Sequence, residues 1–177
     1  METLVERSPQ RMLIQDISNI HPEDGLGKEL FLQVSSLVPI VNVDLLVYNE
    51  REQFLLTWRD DSHCGRGWHI PGGCIRFKET CETRIEKVAL EELGIRQIAF
   101  DIEPIKVFQI INHEHRDLTN QNERGHFITL VYKCYAPSDF IIDNQKFKKG
   151  EVGYMKWFDQ LPDDLLSIQS CYREIIK

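Results

Sequence analysis

The spacing of apolar and polar residues predicts a chain that mixes strands and helices. The apolar run VPIVNVDLLVY predicts a buried strand interrupted by Asp44, and the run QFLLTWR predicts a second strand that pairs with the first as a hairpin. Between them, the polar residues 49–52 form the expected turn. Further strand-like runs lie at about 104–112, 126–136 and 154–158.

Apolar residues at helical spacing predict three helices. The first covers roughly 26–36, with Asp24 as its expected N-cap, and the last is an amphipathic helix after Pro162. The apolar side of that last helix is expected to contain Leu165, Leu166, Ile168 and Tyr172. The middle helix is expected to begin after the cap residue Thr80 and to run to about Leu93, where Gly94 ends it.

The middle helix has a clear division into two sides. Its predicted apolar stripe consists of Ile85, Val88, Ala89 and Leu93. The side chains of Arg84, Lys87 and Glu91 are expected on the other side. The intermingled strands and helices predict one α/β (α+β) domain over 37–177, preceded by an N-terminal helical extension over 1–36.

Composition and charge narrow the function classes. The 177 residues carry a formal net charge of −7, which argues against sequence-independent binding to nucleic acid. A small phosphorylated ligand remains compatible with an acidic pocket if a divalent cation separates the negative charges. No apolar run approaches the ~20 residues that cross a bilayer, and the N-terminus lacks the apolar core of a secretion signal, so no membrane association and a cytoplasmic location are expected.

The five cysteines do not form a recognisable pattern. They are odd in number and scattered, and no CxxC pair or Cys/His spacing typical of a zinc site is present. We therefore expect reduced thiols rather than a disulfide framework.

The segment PGGCIRFKETCETRIEKVALEELGI, residues 71–95, contains the strongest functional pattern. Gly72 and Gly73 permit a tight backbone turn and the close approach of a carbonyl group to a ligand. Near the end of the helix, Glu91 and Glu92 are adjacent carboxylates, which a hard cation such as Mg²⁺ neutralises. The alternative is that the two glutamates only decorate a solvated helix face.

This segment resembles the Nudix box, G-x5-E-x7-R-E-U-x-E-E-x-G-U, in which U is aliphatic. The resemblance implies an α/β/α sandwich with a mixed β-sheet. It also implies a Mg²⁺-dependent hydrolase, with Mn²⁺ as a possible substitute, that cleaves a nucleoside diphosphate-linked small molecule. Glu151, shortly before the Trp157-Phe158 pair, matches a glutamate that serves many Nudix proteins as a metal ligand or general base; the alternative is a loop glutamate beside lysines.

The chain departs from the standard box where Lys87-Val88 replaces Arg-Glu. Val88 removes a carboxylate that often binds metal or activates water. The GDP-mannose mannosyl hydrolase branch of the Nudix superfamily shares this loss. The segments LLTWRDD, WHIPGG and GHFITLVYKC are also similar to that branch, and the likeness covers roughly residues 25–160.

That likeness implies a set of roles. The metal is held by the carbonyl of Gly72 and by the side chains of Glu92 and Glu151, with Glu91 as a further candidate, while Arg59 and Asp44 assist with the diphosphate and the sugar. Two positions differ from the branch: its catalytic histidine aligns with Val152, and an arginine after the glycine pair aligns with Cys74. Both replacements remove a group that the branch uses.

Several polar residues are candidates for substrate binding, namely Arg59, Asp44, Lys87, His113 and His126. Arg59 suits a diphosphate because its planar fork donates two aligned hydrogen bonds; a surface ion pair with Asp60 or Asp61 is the alternative. A carboxylate within an apolar strand is costly unless it is paired or functional. Asp44 is therefore either bonded to Arg59 or part of a site.

Three functions fit this sequence. The first is hydrolysis of a nucleotide sugar such as GDP-mannose by attack at the sugar carbon. The second is attack at phosphorus, as in an ADP-ribose or dinucleotide pyrophosphatase, and the third is a nucleotide-binding Nudix domain without turnover. The resembled branch also implies a homodimer to which the N-terminal extension contributes.

Overall fold

The computed structural model describes residues 21–61, 65–111 and 125–176. The predicted α+β fold with a mixed β-sheet is confirmed, and the sheet is open. The helices are α1 (Lys28–Leu37) and α2 (Cys81–Leu93), with short 3₁₀ segments at Pro22–Asp24 and Ser167–Glu174. The strands are β1 (Ile40–Tyr48), β2 (Phe54–Asp61), β3 (Gly65–His69), β4 (Gly72–Cys74), β5 (Ala99–Phe100), β6 (Lys106–Ile111), β7 (His126–Tyr135) and β8 (Met155–Phe158).

The eight described strands form one sheet with the main order β3-β2-β1-β7-β5. Strand β4 also pairs with β1, β6 with β7, and β8 with β2. The β1–β7 pair is parallel, and the other pairs are antiparallel. One face of the sheet packs against α2, and the other packs against the C-terminal 3₁₀ segment.

Strands β1 and β2 pair only next to the hairpin that joins them, where Tyr48 lies opposite Phe54. Away from the hairpin, residues 42–44 of β1 pair with β4, whereas β2 pairs with β3 and β8. A cleft therefore opens between the β1–β4 part and the β2–β3 part of the sheet. Residues that lie far apart in sequence reach this cleft from both sides.

Helix α2 has the predicted ends. The Thr80 hydroxyl accepts a hydrogen bond from the N–H of Thr83 at 3.2 Å, and Gly94 ends the helix in the left-handed conformation with φ 72°. The predicted stripe of Ile85, Val88, Ala89 and Leu93 is buried. The prediction for Arg84 was wrong, because its side chain is only 4% exposed and forms an ion pair with Glu79.

The C-terminal segment differs from the predicted amphipathic helix. Leu165 and Leu166 are buried, but they run beside β3, where Leu166 N–H donates to the carbonyl of Trp68 at 2.9 Å. The helical turns begin only at Ser167 and are 3₁₀. A turn at 163–164 follows Pro162, and backbone pairing with β3 then keeps Leu165 and Leu166 out of the helical segment.

The start of α1 also differs from the prediction. Its N-cap is Gly27, without a side-chain hydrogen bond, and Asp24 instead ends the preceding 3₁₀ turn. The prediction of Asp24 as the cap was therefore wrong. Most of the predicted extension over 1–36 lies outside the described residues, and the boundary at 36 stays a prediction.

The described part of the chain contains neither a membrane-spanning helix nor a disulfide bond. No helix within it is both long enough and apolar enough to cross a bilayer. Its four cysteines, Cys74, Cys81, Cys134 and Cys171, are free thiols, while Cys64 lies outside the described residues.

Candidate active site

Two pockets meet in the cleft, and Arg59 and His69 line both of them. The inner pocket, about 210 Å³, lies between the sheet and the C-terminal segment. Its other lining residues include Asn42, Asp44, Gly72, Cys74, Phe127, Thr129 and Gln169. The outer pocket, about 610 Å³, adjoins the C-terminal end of α2. Its other lining residues include Trp58, Glu91, Glu92, Asp143, Lys146 and Val152.

Gly72 brings the backbone of β4 against Asp44. The two residues are directly paired in the β1–β4 register. A Cβ atom at Gly72 would overlap Asp44 Oδ1 and lie 2.8 Å from the carbonyl oxygen of Val43. Only glycine therefore permits this approach, which explains the first glycine of the pair in physical terms.

Asp44 is a buried acid, 5% exposed, whose partner is Tyr172. The tyrosine hydroxyl donates to Asp44 Oδ2 at 2.6 Å. The pKa of Asp44 is raised to about 7, mainly by burial; the Tyr172 hydrogen bond and Arg59 lower it, whereas the nearby Glu92 contributes to the rise. The hydrogen-bond partner of Asp44 is thus a tyrosine that the sequence did not reveal. Arg59 acts on Asp44 electrostatically, by lowering its pKa.

We expect Tyr172→Phe to destabilise the protein by about 2 kcal/mol, because it removes a hydrogen bond from a buried, charged acceptor. Urea unfolding at pH 8, where most Asp44 is ionised, measures this loss. The matched control is Tyr135→Phe, which removes a 3.2 Å hydrogen bond from an exposed tyrosine to Asp101 and should cost less than about 0.5 kcal/mol. Equal losses in the two variants would contradict the assigned strength of the buried bond.

The carboxylate of Glu92 points to His69 at the junction of the two pockets. Glu92 Oε2 lies 3.4 Å from His69 Nε2, and the glutamate side chain is 28% exposed whereas the histidine side chain is 7% exposed. On the other side of the ring, His69 Nδ1 lies 2.9 Å from the backbone oxygen of Thr57. The helix end and strand β3 are thus joined through one ring.

Glu79 is the centre of a cationic cluster beside the site. Its carboxylate accepts two hydrogen bonds from Arg84, at 2.7 and 2.9 Å, one from the backbone N–H of Arg76 at 3.0 Å, and it pairs with Lys87 at 2.9 Å. Burial raises its pKa, but these hydrogen bonds outweigh burial and hold the pKa at about 2. Arg84 therefore supplies the forked partner that Lys87 cannot provide.

The remaining predicted site residues take separate positions. Glu91 is 54% exposed and lies 3.9 Å from Arg84. The carboxylate of Glu151, an exposed residue, accepts a hydrogen bond from the backbone N–H of Lys148 at 2.8 Å. His126 Nε2 lies 3.0 Å from Gln109 Nε2. Lys87 pairs with Glu79 and lines neither pocket of the cleft. His113 lies outside the described residues.

Among the described residues, no three His, Cys, Asp or Glu side chains converge on one point as a metal cluster would. The structure brings together Asp44, Glu92, Arg59 and the Gly72 backbone around the cleft. It does not bring the Glu151 carboxylate into either pocket. Mg²⁺ sites commonly use only one or two carboxylates and complete their shell with water and phosphate, so these residues remain compatible with one cation.

Sequence reasoning missed Tyr172 and Gln169 as site residues. Tyr172 was assigned only to an apolar helix side. The Gln169 side chain accepts from the N–H of Ile70 at 2.8 Å and lies 3.2 Å from the carbonyl oxygen of Ile70, to which its amide donates. No local pattern predicts contacts across 99 or more residues.

Comparisons with known proteins place the fold and the family. The chain is 38% identical over 58 residues to the low-salt glycan biosynthesis protein Agl8 of Haloferax volcanii, a match that covers 33% of this chain and 36% of that relative. A MutT NUDIX hydrolase from Burkholderia pseudomallei has a similar structure, with a TM-score of 0.56 and 21% identity over 77% of this chain and 97% of that one. A MutT protein from Methanosarcina mazei Go1 aligns with a TM-score of 0.46 and 22% identity over 67% of this chain and 76% of that one.

The family assignment rests on the sequence profile described as the NUDIX domain. It matches residues 38–170, which span the strands of the cleft, the helix with the adjacent glutamates and part of the C-terminal segment. The resemblance of residues 71–95 to the Nudix box is thereby confirmed. The chain belongs to the NUDIX family.

Proposed function

We propose that this protein is a divalent-cation-dependent hydrolase of nucleoside diphosphate-linked small molecules, with nucleotide sugars such as GDP-mannose as its main substrate class. The observation that carries this proposal is the cleft with two pockets that meet at Arg59 and His69. A diphosphate at that junction leaves one pocket for each of its two substituents. Arg59 then donates to the phosphate oxygens with its planar fork.

The two carboxylates near the junction, Asp44 and Glu92, favour the binding of a cation. The Glu92 carboxylate raises the pKa of the buried Asp44, and two acids that repel each other are relieved by a divalent ion. Glu92 and the carbonyl of Gly72 would hold Mg²⁺ or Mn²⁺, with water and phosphate oxygens as the other ligands. Bound there, the ion would act as a Lewis acid on the diphosphate.

Glu91 and Glu151 are secondary candidates for this cation. Glu91 is exposed at the rim of the outer pocket, and Glu151 would have to exchange its bond to Lys148 for a metal ligand or water. Asp44 lines the inner pocket, and we expect it to contact a hydroxyl or phosphate group there. The roles of Lys87, His113 and His126 in substrate binding stay predictions.

Attack at the sugar carbon is favoured by the environment of residue 88. Val88 is 2% exposed, and a Cβ atom at Gly73 would lie 2.8 Å from its Cγ2, so this position packs in the core and supplies no carboxylate. Attack at carbon needs mainly stabilisation of the departing diphosphate, which Arg59 and a bound cation would provide. The name of the Haloferax volcanii relative, a glycan biosynthesis protein, agrees with a nucleotide-sugar substrate.

Attack at phosphorus is the second candidate, and Val152 is the observation that favours it. Val152 lines the outer pocket, where the sugar-cleaving branch has its histidine, and it accepts no proton. A nucleoside diphosphate pyrophosphatase acting on ADP-ribose or a dinucleotide would not need that histidine. A domain that binds nucleotides without turnover is the third possibility.

The deciding experiment is a substrate panel with Mg²⁺ or Mn²⁺ in ¹⁸O-water, comparing nucleotide sugars, ADP-ribose and dinucleotides. We expect turnover of nucleotide sugars with the label in the released sugar. Label in the phosphate product would establish attack at phosphorus instead. Tight nucleotide binding by calorimetry, without release of sugar or phosphate above background, would overturn the enzyme proposal.

Assembly is a separate prediction. The homodimer implied by the resembled branch involves residues 1–36, most of which lie outside the described residues. Sedimentation of the full chain tests it, since a monomer at micromolar concentration would contradict it.

A further inference from the structure

The side chain of His69 is oriented by contacts between one ring nitrogen and Thr57. Its Nδ1 lies 2.9 Å from the backbone oxygen of Thr57, which accepts a hydrogen bond when Nδ1 carries a proton. Strand pairing fixes this contact, because Thr57 and His69 face each other in the β2–β3 register. The Thr57 hydroxyl also lies close to the ring, 2.9 Å from Nδ1 and 3.4 Å from Nε2.

The other ring nitrogen, Nε2, faces the C-terminal end of α2. It lies 3.4 Å from Glu92 Oε2. Two ligands that each lie about 2.0–2.2 Å from one ion are separated by a distance of this size, so one divalent cation is within coordinating reach of both atoms. The side chains are 7% and 28% exposed, so bulk water screens this pair only partly.

We propose that His69 Nε2 is a ligand of the divalent cation beside Glu92. This inference rests on the proposed function and deepens it, because it specifies the donor set of the same site. Histidines that bind metals usually donate their other ring N–H to a carbonyl or carboxylate, which fixes the tautomer and orients the ring. The Thr57 backbone oxygen supplies that outer contact.

A nitrogen ligand changes which metal the site prefers. Mg²⁺ favours oxygen ligands and retains water, whereas imidazole suits first-row transition ions, and affinities rise from Mn²⁺ onward along that row. The site therefore binds Mn²⁺ more tightly than Mg²⁺, and the metal that supports activity best is a transition ion. Arg59 lines the same junction.

The test uses the unaltered protein loaded with Mn²⁺ and examined by pulsed electron paramagnetic resonance. We expect a directly coordinated nitrogen coupling that changes to the ¹⁵N pattern when only the histidines carry ¹⁵N. Bound Mn²⁺ without histidine nitrogen coupling would overturn the ligand role and leave a His69–Glu92 ion pair, while the proposed hydrolase remained intact. Failure of the unaltered protein to bind Mn²⁺ or Mg²⁺ at all would overturn the cation-dependent function as well.

Variants assign the coupling to one histidine. His69→Phe should abolish the nitrogen coupling and weaken Mn²⁺ binding by about a hundredfold or more, since loss of an outer-shell partner alone costs about 10–100-fold. Its Mg²⁺ affinity should change much less. The control His21→Phe, at an exposed position outside the cleft, should retain both the coupling and the affinity; coupling that persists in a folded His69→Phe would overturn the assignment.

Discussion

Glu92→Gln is expected to lower metal-dependent turnover by at least about a hundredfold while leaving the fold intact. The cation supplies several kcal/mol of transition-state stabilisation, and each 1.36 kcal/mol corresponds to about a tenfold change in rate. An amide keeps the size of the side chain but removes the negative charge beside His69 and Asp44. Steady-state kinetics with the best substrate of the panel, at saturating Mg²⁺ and Mn²⁺, measures the effect.

The matched control for this variant is Glu86→Gln, on the same helix and exposed. It removes an equal charge from α2 at a position that lines neither pocket, so its turnover should be close to that of the unaltered protein. Circular dichroism should show the same helix content in both variants. Full activity in a folded Glu92→Gln variant would eliminate the proposed cation site.

Glu79→Ala is expected to destabilise the protein by about 3–5 kcal/mol. The substitution leaves the guanidinium of Arg84, 4% exposed, without its bidentate partner, and an uncompensated buried charge carries a cost of this size. Urea unfolding at pH 7 measures the loss. The control is Glu86→Ala, which removes an exposed glutamate from the same helix and should change stability by less than about 0.5 kcal/mol.

The same cluster makes stability depend on pH in a defined direction. The pKa of Glu79 is lowered from its usual 4.5 to about 2, so the folded protein binds a proton there less readily than the unfolded chain. Its contribution is present in full above about pH 4.5 and is lost as the pH falls towards 2. Unfolding curves from pH 6 to pH 2.5 should converge for the unaltered protein and Glu79→Ala; a constant difference would contradict this assignment.

Local signals explain why the middle helix was predictable. Thr80, the stripe that includes Ile85 and Ala89, and Gly94 act within a few residues of one another, and each has a direct stereochemical reason. The tight turn at the glycine pair was predictable for the same reason, but the residue that Gly72 contacts was not. The clash that excludes a side chain at Gly72 involves Asp44 on another strand.

Long-range contacts explain what the sequence did not reveal. The partner of Asp44 is a tyrosine 128 positions away, and helical spacing alone placed that residue in an apolar stripe. Arg84 appeared solvent-facing because its partner, Glu79, lies before the helix begins. The extended run of Leu165 and Leu166 depends on β3, which no pattern within 162–176 contains.

Gln169, in the C-terminal segment, binds the backbone of Ile70 next to strand β3 with two hydrogen bonds, and both residues line the inner pocket. The residues that line this pocket therefore come from two parts of the chain, the strands of the sheet and the C-terminal segment at 166–172. The proposed contacts to cation and diphosphate lie on the sheet and on α2, so substitutions within 166–172 can alter the shape of the inner pocket without changing those contacts. Changes of ligand preference and of the proposed chemistry can therefore arise independently of each other.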